Sequence, residues 1–374
     1  MPQKLVCIRD GGVTAAIFGT GDENAMRIED RFSVRLENRS GGADAGDAVI
    51  ITGESSDNVE RAARVIEYLS RMVSAGDFIE DQTVDYVIET ISSGATEDLE
   101  ALDGTVIAIT SRGKPIRPKT AGQRRYVDAI RKNTVTFGLG PAGTGKTFLA
   151  VAMAVEALRN KQADRIILTR PAVEAGERLG FLPGDLQSKI DPYLRPLYDA
   201  LFEMLGAENY NRQLERGAIE IAPLAYMRGR TLDDSYIILD EAQNTTVEQM
   251  KMFLTRLGHN SRMVVTGDPS QTDLPDGKKS GLTVAERILG GIDGIAIHRF
   301  SERDVVRHRL VQNIIRAYEK YGREENNKTT ARVFTARKNK VRTSRYETDI
   351  SHFAEGAPPV SGFCYRRGGD KLRL

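Results

Sequence analysis

The sequence lacks the features of a disulfide-bonded, cysteine-ligated metal-binding or membrane-spanning protein. It has only two cysteines, Cys7 and Cys364, which stand near opposite ends of the chain with no metal-ligand spacing around either. This excludes a disulfide framework and fits a reducing compartment. The sequence has no run of about 18 apolar residues and no charged-then-apolar pattern at its N-terminus. We therefore expect a cytoplasmic protein that does not associate with a membrane.

The chain also lacks a strong net charge. Its 53 lysines and arginines are balanced by 52 acids, for a formal charge of +1. This excludes a globally basic nucleic-acid binder, so any such surface must be local. The 40% hydrophobic and 28% charged content is that of a globular protein, and 374 residues suggest two or three domains.

One stretch, GPAGTGKT at 140–147, fits the Walker A pattern without a mismatch. It follows an apolar run at 134–139 and precedes apolar residues at helical spacing, which predicts a strand, a phosphate-binding loop and a helix. Backbone N–H groups of the loop curl around phosphate, Lys146 faces the β- and γ-phosphates, and Thr147 holds Mg²⁺. The predicted phosphate-binding residues are Gly140, Pro141, Ala142, Gly143, Thr144, Gly145, Lys146 and Thr147.

A second motif follows at 236–241, where four apolar residues run into Asp240 and Glu241. An apolar strand ending in two carboxylates is typical of a Walker B element. We expect Asp240 to hold Mg²⁺ and Glu241 to polarise the attacking water. Further on, the GDPSQ segment at 267–271 offers Gln271 as a sensor of the γ-phosphate.

Two weaker signals lie on either side of these motifs. Gln123 stands seventeen residues before Gly140 on a predicted helix, and its amide matches the donor and acceptor of an adenine edge. A solvent-exposed helix glutamine is the alternative. Arg303, Arg307 and Arg309 cluster on a helix predicted at 302–318. Arg307 is the candidate arginine finger, acting in its own subunit or a neighbouring one, and surface ion pairing is the alternative.

Residues 1–75 are predicted to form a separate α/β module. The pattern indicates strands at 13–18, 34–36 and 48–52, with helices at 23–32 and 56–73. The last strand and helix resemble those of a KH domain, which clamps nucleic acid through a GXXG loop. The corresponding stretch here, Gly19-Thr20-Gly21-Asp22, ends on a carboxylate, so docking or oligomerisation is an equal alternative.

Three further boundaries follow from composition. Residues 76–115 are predicted as a linker or transitional segment with a strand at 106–110. Closely spaced proline and glycine at 113–118 mark the start of the second domain at 116–322. From 323 to 374 periodicity disappears, with twelve basic and six acidic residues and few branched apolar ones. We expect this tail to be disordered and solubilising, or to add salt-sensitive phosphate affinity through its basic run at 337–342.

The assembled motifs resemble the PhoH family of P-loop ATPases, in its longer form with an N-terminal KH-like domain. The segments that carry the resemblance are TAGQ at 120–123, GPAGTGKT at 140–147, TRPAVEAGERLGFLPGD at 169–185, YIILDEAQN at 236–244, VVTGDPSQTDLP at 264–275 and SERDVVRHRL at 301–310. The resemblance implies an α/β fold, a parallel sheet flanked by helices and similar to the core of superfamily 1 helicases.

The resemblance also implies ATP hydrolysis with Mg²⁺, coupled to RNA unwinding, decay or ribosomal RNA maturation. A bacterial relative is linked with a YbeY-type endoribonuclease. The resemblance implies adenine contact for Gln123, and phosphate and Mg²⁺ contact for Gly143, Gly145, Lys146 and Thr147. It implies the metal and water roles for Asp240 and Glu241, and γ-phosphate sensing for Gln271.

Helicases of that superfamily carry two motor domains, whereas this chain has length for one. A ring or another homo-oligomer, in which each subunit supplies arginines to its neighbour, would make up the difference. Three functions therefore remain: an RNA-dependent ATPase or helicase, an ATP-gated RNA-binding scaffold that recruits a nuclease, or a nuclease. The third ranks last because no His, Asp and Glu residues stand at metal-ligand spacing.

Overall fold

The computed structural model describes residues 1–8, 11–40, 46–100, 104–171, 186–275 and 277–306, with single positions at 102, 310–311, 314–315, 317–318 and 321. Residues 172–185, which form most of the segment at 169–185 that carries the family resemblance, and the tail at 323–374 lie outside the described residues. Residues 1–307 pack as one unit. Within the described ranges, no helix is both long enough and apolar enough to cross a bilayer.

A six-stranded, wholly parallel sheet forms the centre of the second half of the chain, in the order β11-β6-β10-β9-β7-β8. The strands are β6 (Val135–Leu139), β7 (Arg165–Arg170), β8 (Ile219–Pro223), β9 (Ser235–Leu239), β10 (Arg262–Gly267) and β11 (Ile295–Arg299). Strands β6 and β9 are buried throughout, as the two continuous apolar runs predict. The predicted fold class, a parallel sheet flanked by helices, is confirmed.

Helices cover both faces of this sheet. They are α6 (Ala121–Lys132), α7 (Lys146–Arg159), α8 (Leu186–Leu205), α9 (Ala207–Glu215), α10 (Val247–Leu254) and α11 (Gly281–Leu289). Along β9, Tyr236 and Ile238 join one apolar cluster with α6, α7 and α8, whereas Ile237 and Leu239 join a second cluster with α10 and α11. This alternation is the two-residue period of a strand buried on both faces.

The N-terminal part has its own core, built on a three-stranded antiparallel sheet in the order β1-β3-β2. Its elements are β1 (Gln3–Ile8), α1 (Gly11–Phe18), α2 (Glu23–Phe32), β2 (Val34–Ser40), β3 (Asp47–Gly53) and α3 (Ser56–Ser74). The strand predicted at 13–18 is wrong: the segment is helix α1. Val13, Thr14 and Ile17 are buried whereas Ala15 is exposed, which is the helical period and not the alternation of a strand.

Residues 76–115, predicted as a linker, carry secondary structure. They contain α4 (Asp81–Ser92), α5 (Thr96–Glu100) and a short antiparallel pair, β4 (Ala108–Ile109) and β5 (Pro115–Ile116). Val84, Val87, Ile88 and Leu102 belong to the N-terminal core. The apolar packing of the N-terminal part therefore continues well beyond residue 75, and α4 brings it close to the start of α6.

Candidate nucleotide site

The glycine-rich loop joins the end of β6 to the start of α7, as the motif predicts. Gly140, Gly143 and Gly145 have φ angles of +140°, +89° and +79°, a region that favours glycine. The Gly140 N–H donates to the carbonyl oxygen of Gly267 at 3.1 Å, which ties the loop to the neighbouring β10. A Cβ on Gly140 would lie 2.8 Å from the carbonyl oxygen of Phe300, so only glycine fits beneath that residue.

Lys146 lies inside the curve of this loop. Its Nζ donates to the carbonyl oxygens of Gly140 at 2.6 Å and Pro141 at 2.8 Å. The Thr144 hydroxyl also donates to the Pro141 carbonyl, at 3.0 Å. The ammonium therefore stands beside the N-terminus of α7, where the helix dipole and backbone N–H groups already favour an anion.

Three side-chain oxygens meet at the carboxyl edge of the sheet. The Thr147 hydroxyl donates to Asp240 Oδ1 at 2.6 Å, and the Thr266 hydroxyl donates to the same oxygen at 2.8 Å. Hydroxyl and carboxylate oxygens are hard ligands of the kind Mg²⁺ takes, so these residues fit the implied cation. The sequence analysis missed Thr266, although Thr266 follows Val265, which pairs with Leu239 directly before Asp240.

Glu241 adopts a backbone conformation that is unusual for its residue type, with a φ of +51°. Its carboxylate contacts Arg170 Nη2 at 3.4 Å and accepts a hydrogen bond from Gln243 Nε2. The side chain nevertheless keeps 39% of its surface exposed. The carboxylate is therefore oriented by two neighbours and still open to water, and neither Arg170 nor Gln243 was predicted.

The GDPSQ turn is fixed to the Walker B tip by the same glutamine. Gln243 Oε1 accepts a hydrogen bond from the Asp268 N–H at 3.1 Å. Asp268 Oδ1 in turn accepts from the N–H of Ser270 at 3.0 Å and from its hydroxyl at 2.7 Å. The Gln271 N–H donates to the Asp268 carbonyl at 3.1 Å. The turn therefore stands beside Glu241, with Gln271 exposed at its end.

Gln123 is buried against the phosphate loop, with 4% of its surface exposed. Its Oε1 accepts from the Lys119 N–H at 2.7 Å, and its Nε2 donates to the Thr144 carbonyl at 3.1 Å. The solvent-exposed alternative is therefore wrong. The amide supports the loop in this structure, and adenine contact stays a prediction.

The segment that carries the arginines returns to the same loop. The Val306 N–H donates to the carbonyl oxygen of Gly143 at 2.9 Å. The helix predicted at 302–318 does not begin at Glu302, where the structure has a short 3₁₀ turn at Glu302–Asp304 with a capping box between Ser301 and Asp304. The described positions within 310–318 are helical. Arg303 is exposed on this turn. Arg307 and Arg309 lie outside the described residues, one and three positions beyond Val306.

An aromatic cluster packs next to the point where β6 ends and the loop begins. The Phe300 ring lies 5.1 Å from the Tyr126 ring and 4.6 Å from the His298 ring, measured between centroids. Burial lowers the pKa of His298, so the imidazole is neutral at pH 7. A Cβ on Gly138 would lie 2.7 Å from the Tyr126 ring. The end of β6 is therefore closely packed directly before the loop begins.

A family model described as PhoH-like protein matches residues 115–319, more than half of the chain. The chain belongs to this family. A PhoH-like protein of Mycobacterium tuberculosis (strain ATCC 25618 / H37Rv) is 54% identical over 310 residues, covering 83% of this chain and 86% of the relative. A PhoH-like protein of Bacillus subtilis (strain 168) is 52% identical over 320 residues, covering 86% and 97%.

Other similarities are shorter or weaker. Protein PhoH of Escherichia coli (strain K12) is 49% identical over 206 residues, which is 54% of this chain and 58% of the relative. A solved Sulfolobus solfataricus SWI2/SNF2 ATPase core in complex with dsDNA is 17% identical and covers 38% of this chain and 31% of its own, with a TM-score of 0.26. That likeness is too slight to bear on function.

Asp240→Asn should weaken Mg²⁺-dependent nucleotide binding by at least about tenfold, because the amide no longer offers the charged oxygen beside Thr147. Nucleotide affinity measured by calorimetry without Mg²⁺ should change much less. Asp273→Asn is the matched control, since Asp273 is an exposed acid that pairs with Asn244. Equal Mg²⁺ dependence in Asp240→Asn and the parent would contradict the metal assignment.

Proposed function

We propose that this PhoH-like protein binds ATP with Mg²⁺, hydrolyses its β–γ phosphoanhydride bond and couples this to RNA. The observation that carries the proposal is the 2.6 Å hydrogen bond between Thr147 and Asp240, with the open carboxylate of Glu241 beside it. A phosphate loop, a carboxylate for the cation and a base for water then stand at one edge of one sheet. These are the parts that phosphoryl transfer to water requires.

Each residue has a role that its position supports. The loop N–H groups and Lys146 would hold the phosphates, and Thr147 and Asp240 would hold Mg²⁺, which would neutralise charge on the phosphate oxygens. Arg170 and Gln243 orient Glu241, which positions the attacking water and accepts its proton.

Two further residues complete the proposed site. We assign γ-phosphate sensing to Gln271, which lies at the end of the turn that Gln243 fixes beside Glu241. We assign transition-state neutralisation to Arg307. The hydrogen bond from the preceding Val306 to Gly143 favours a role for Arg307 in its own subunit, even within an oligomer.

The proposed coupling to RNA is supported by the N-terminal part. The Gly19–Asp22 turn joins α1 to α2, and its Thr20, Gly21 and Asp22 are exposed. Gly19 and Gly21 have φ angles of +77° and +64°. The two glycines leave backbone groups open to a phosphate chain, as the resemblance to KH domains implies, whereas the exposed Asp22 carboxylate opposes an anion and keeps docking as the alternative role.

An ATP-gated scaffold that recruits an endoribonuclease of the YbeY type is the alternative. The observation that favours it is the single six-stranded parallel sheet in the described part of the chain. A single motor-type domain can change its RNA affinity with the nucleotide state without separating two strands.

Glu241→Gln should bind ATP as tightly as the parent and hydrolyse it about 10²- to 10⁴-fold more slowly. Glutamine keeps the shape, but its single carbonyl oxygen can accept from only one of Arg170 and Gln243, and it cannot accept a proton. ATP affinity and single-turnover hydrolysis measured on one preparation test this, with the exposed acid Glu248→Gln as the matched control. ATP turnover at the parental rate in Glu241→Gln would show that another residue is the general base.

Single-stranded RNA should raise the ATP turnover of the unaltered protein. A strand-displacement assay on the same preparation then separates the two functions, because displacement indicates a helicase and stimulation without displacement indicates the scaffold. Equal turnover with and without RNA, together with no change of RNA affinity between ATP and ADP, would contradict the coupling and leave ATP hydrolysis standing.

A further inference from the structure

The first turn of α6 is the point where the N-terminal part meets the nucleotide site. Residues 119–123 contact α4 on one side and the phosphate loop on the other. The turn is capped by the Thr120 hydroxyl, which accepts from the Gln123 N–H at 3.1 Å and donates to the buried carboxylate of Asp304 at 2.8 Å. This turn is therefore held in one position by hydrogen bonds on several sides.

The contact from the N-terminal side is made by Tyr86. Its hydroxyl accepts a hydrogen bond from the Ala121 N–H at 2.8 Å. Ala121 is the first residue of α6 and is only 3% exposed. A buried N–H at a helix start needs an acceptor, and the neighbouring Val84 and Val87 fix α4 in the N-terminal core. The N-terminal part therefore helps to set where α6 begins.

The contact to the nucleotide site is made two residues later by Gln123. Its amide spans the Lys119 N–H and the Thr144 carbonyl, at 2.7 Å and 3.1 Å. A Cβ on Gly145 would lie 3.2 Å from Gln123 Nε2, so the glutamine is in close contact with the loop. A displacement of the first turn would therefore move the loop directly before Lys146.

Other polar contacts between these parts involve less buried groups. Arg117 pairs with Asp77 at 2.8 Å, with 24% and 22% of the two side chains exposed, and two further pairs are more exposed. Arg125 pairs with Asp98 at 2.9 Å, with 61% and 39% of the two side chains exposed. Lys119 pairs with Glu80 at 2.6 Å, with 45% of each side chain exposed. Exposed pairs of this kind contribute little because water and salt screen them. The hydrogen bond of Tyr86 reaches a buried backbone group and therefore constrains the turn more strongly.

We propose that Tyr86 is a positioning residue for the phosphate loop. Its hydroxyl holds the first turn of α6 in place, and the hydrogen bond from Gln123 to Thr144 holds the phosphate loop relative to that turn. The packing of the N-terminal part thereby influences the affinity for nucleotide. The inference rests on the proposed function, since it assigns the loop to ATP. It identifies one atom through which the N-terminal part acts on the site.

Tyr86→Phe should weaken ATP binding at least about fivefold, the lower end of the usual range for coupled sites. The ring keeps its packing, while the hydroxyl that accepts from the Ala121 N–H is lost together with its contact to Thr90. The turnover number should stay within about twofold of the parent, because Asp240 and Glu241 are held by contacts that do not include α6. An increase in KM without a matching fall in kcat separates positioning from general damage to the site.

The experiment compares four variants of the full chain: Tyr86→Phe, Gln123→Ala, the double variant, and Arg125→Met as the matched control. Affinity for a fluorescent ATP analogue should fall in the first three and stay unchanged in the control, which loses only an exposed ion pair with the N-terminal part. The double variant should bind no more weakly than Gln123→Ala, because Tyr86 acts through Gln123. Parental affinity in Tyr86→Phe, or losses that simply add, would overturn the proposal.

Hydrogen–deuterium exchange of the same proteins supplies a readout that needs no nucleotide. Peptides covering residues 119–125 and 140–148 should exchange faster in Tyr86→Phe than in the parent or in Arg125→Met. If the parent binds no ATP, the proposed function is wrong. The exchange measurement still shows whether Tyr86 is coupled to the phosphate loop. Unchanged exchange at 140–148 in Tyr86→Phe would overturn the link by itself.

Discussion

The hydrogen bond between Thr147 and Asp240 is the contact on which the candidate site depends. It joins the first turn of α7 to the tip of β9, although β9 is not the neighbour of the phosphate-loop strand. Strand β10 lies between β6 and β9, so the two side chains meet above its end, where Thr266 contributes a further hydroxyl. All strands of this sheet are parallel, so their carboxyl ends share one edge and bring these oxygens together.

The phosphate loop is held by residues far from it in the sequence. Gly267 fixes its first residue, Gln123 its middle, and Val306 bonds to Gly143. Phe300 covers Gly140 and packs on Tyr126 below. The positive-φ glycines allow the loop backbone to curve, and these contacts hold it in a single conformation. A bound phosphate would therefore meet hydrogen-bond donors that are already in place.

The sequence predicted the strands that carry the motifs because they are buried on both faces and read as continuous apolar runs. It missed β8 and β11, the two edge strands of this sheet, because each is only five residues long and includes charged or basic side chains, so neither reads as a continuous apolar run. The segment at 13–18 was assigned to a strand because its β-branched residues fit either period, and only the packing of Val13 and Ile17 decides for a helix.

Within the site, single-sequence reasoning found the residues whose role follows from a motif. Lys146, Thr147, Asp240 and Glu241 lie where the motifs predict. Arg170, Gln243 and Tyr86 were not found, because their roles come from which strands and helices become neighbours. The spacing of Gln123 from the Walker A motif predicts contact with adenine, whereas in the structure its amide bonds to the loop. Spacing along the sequence does not show which groups an amide will contact.

Titration calorimetry with ATP and Mg²⁺ on Lys146→Ala, beside the parent, tests whether the glycine-rich loop binds nucleotide. The Lys146 ammonium contacts loop carbonyls and belongs to neither apolar core, so the variant should fold normally. Lys132→Ala, which removes an exposed lysine at the end of α6, is the control. The account predicts that a folded Lys146→Ala protein loses measurable affinity and turnover, while Lys132→Ala retains both. Parental ATP binding and hydrolysis by folded Lys146→Ala would contradict the nucleotide site itself.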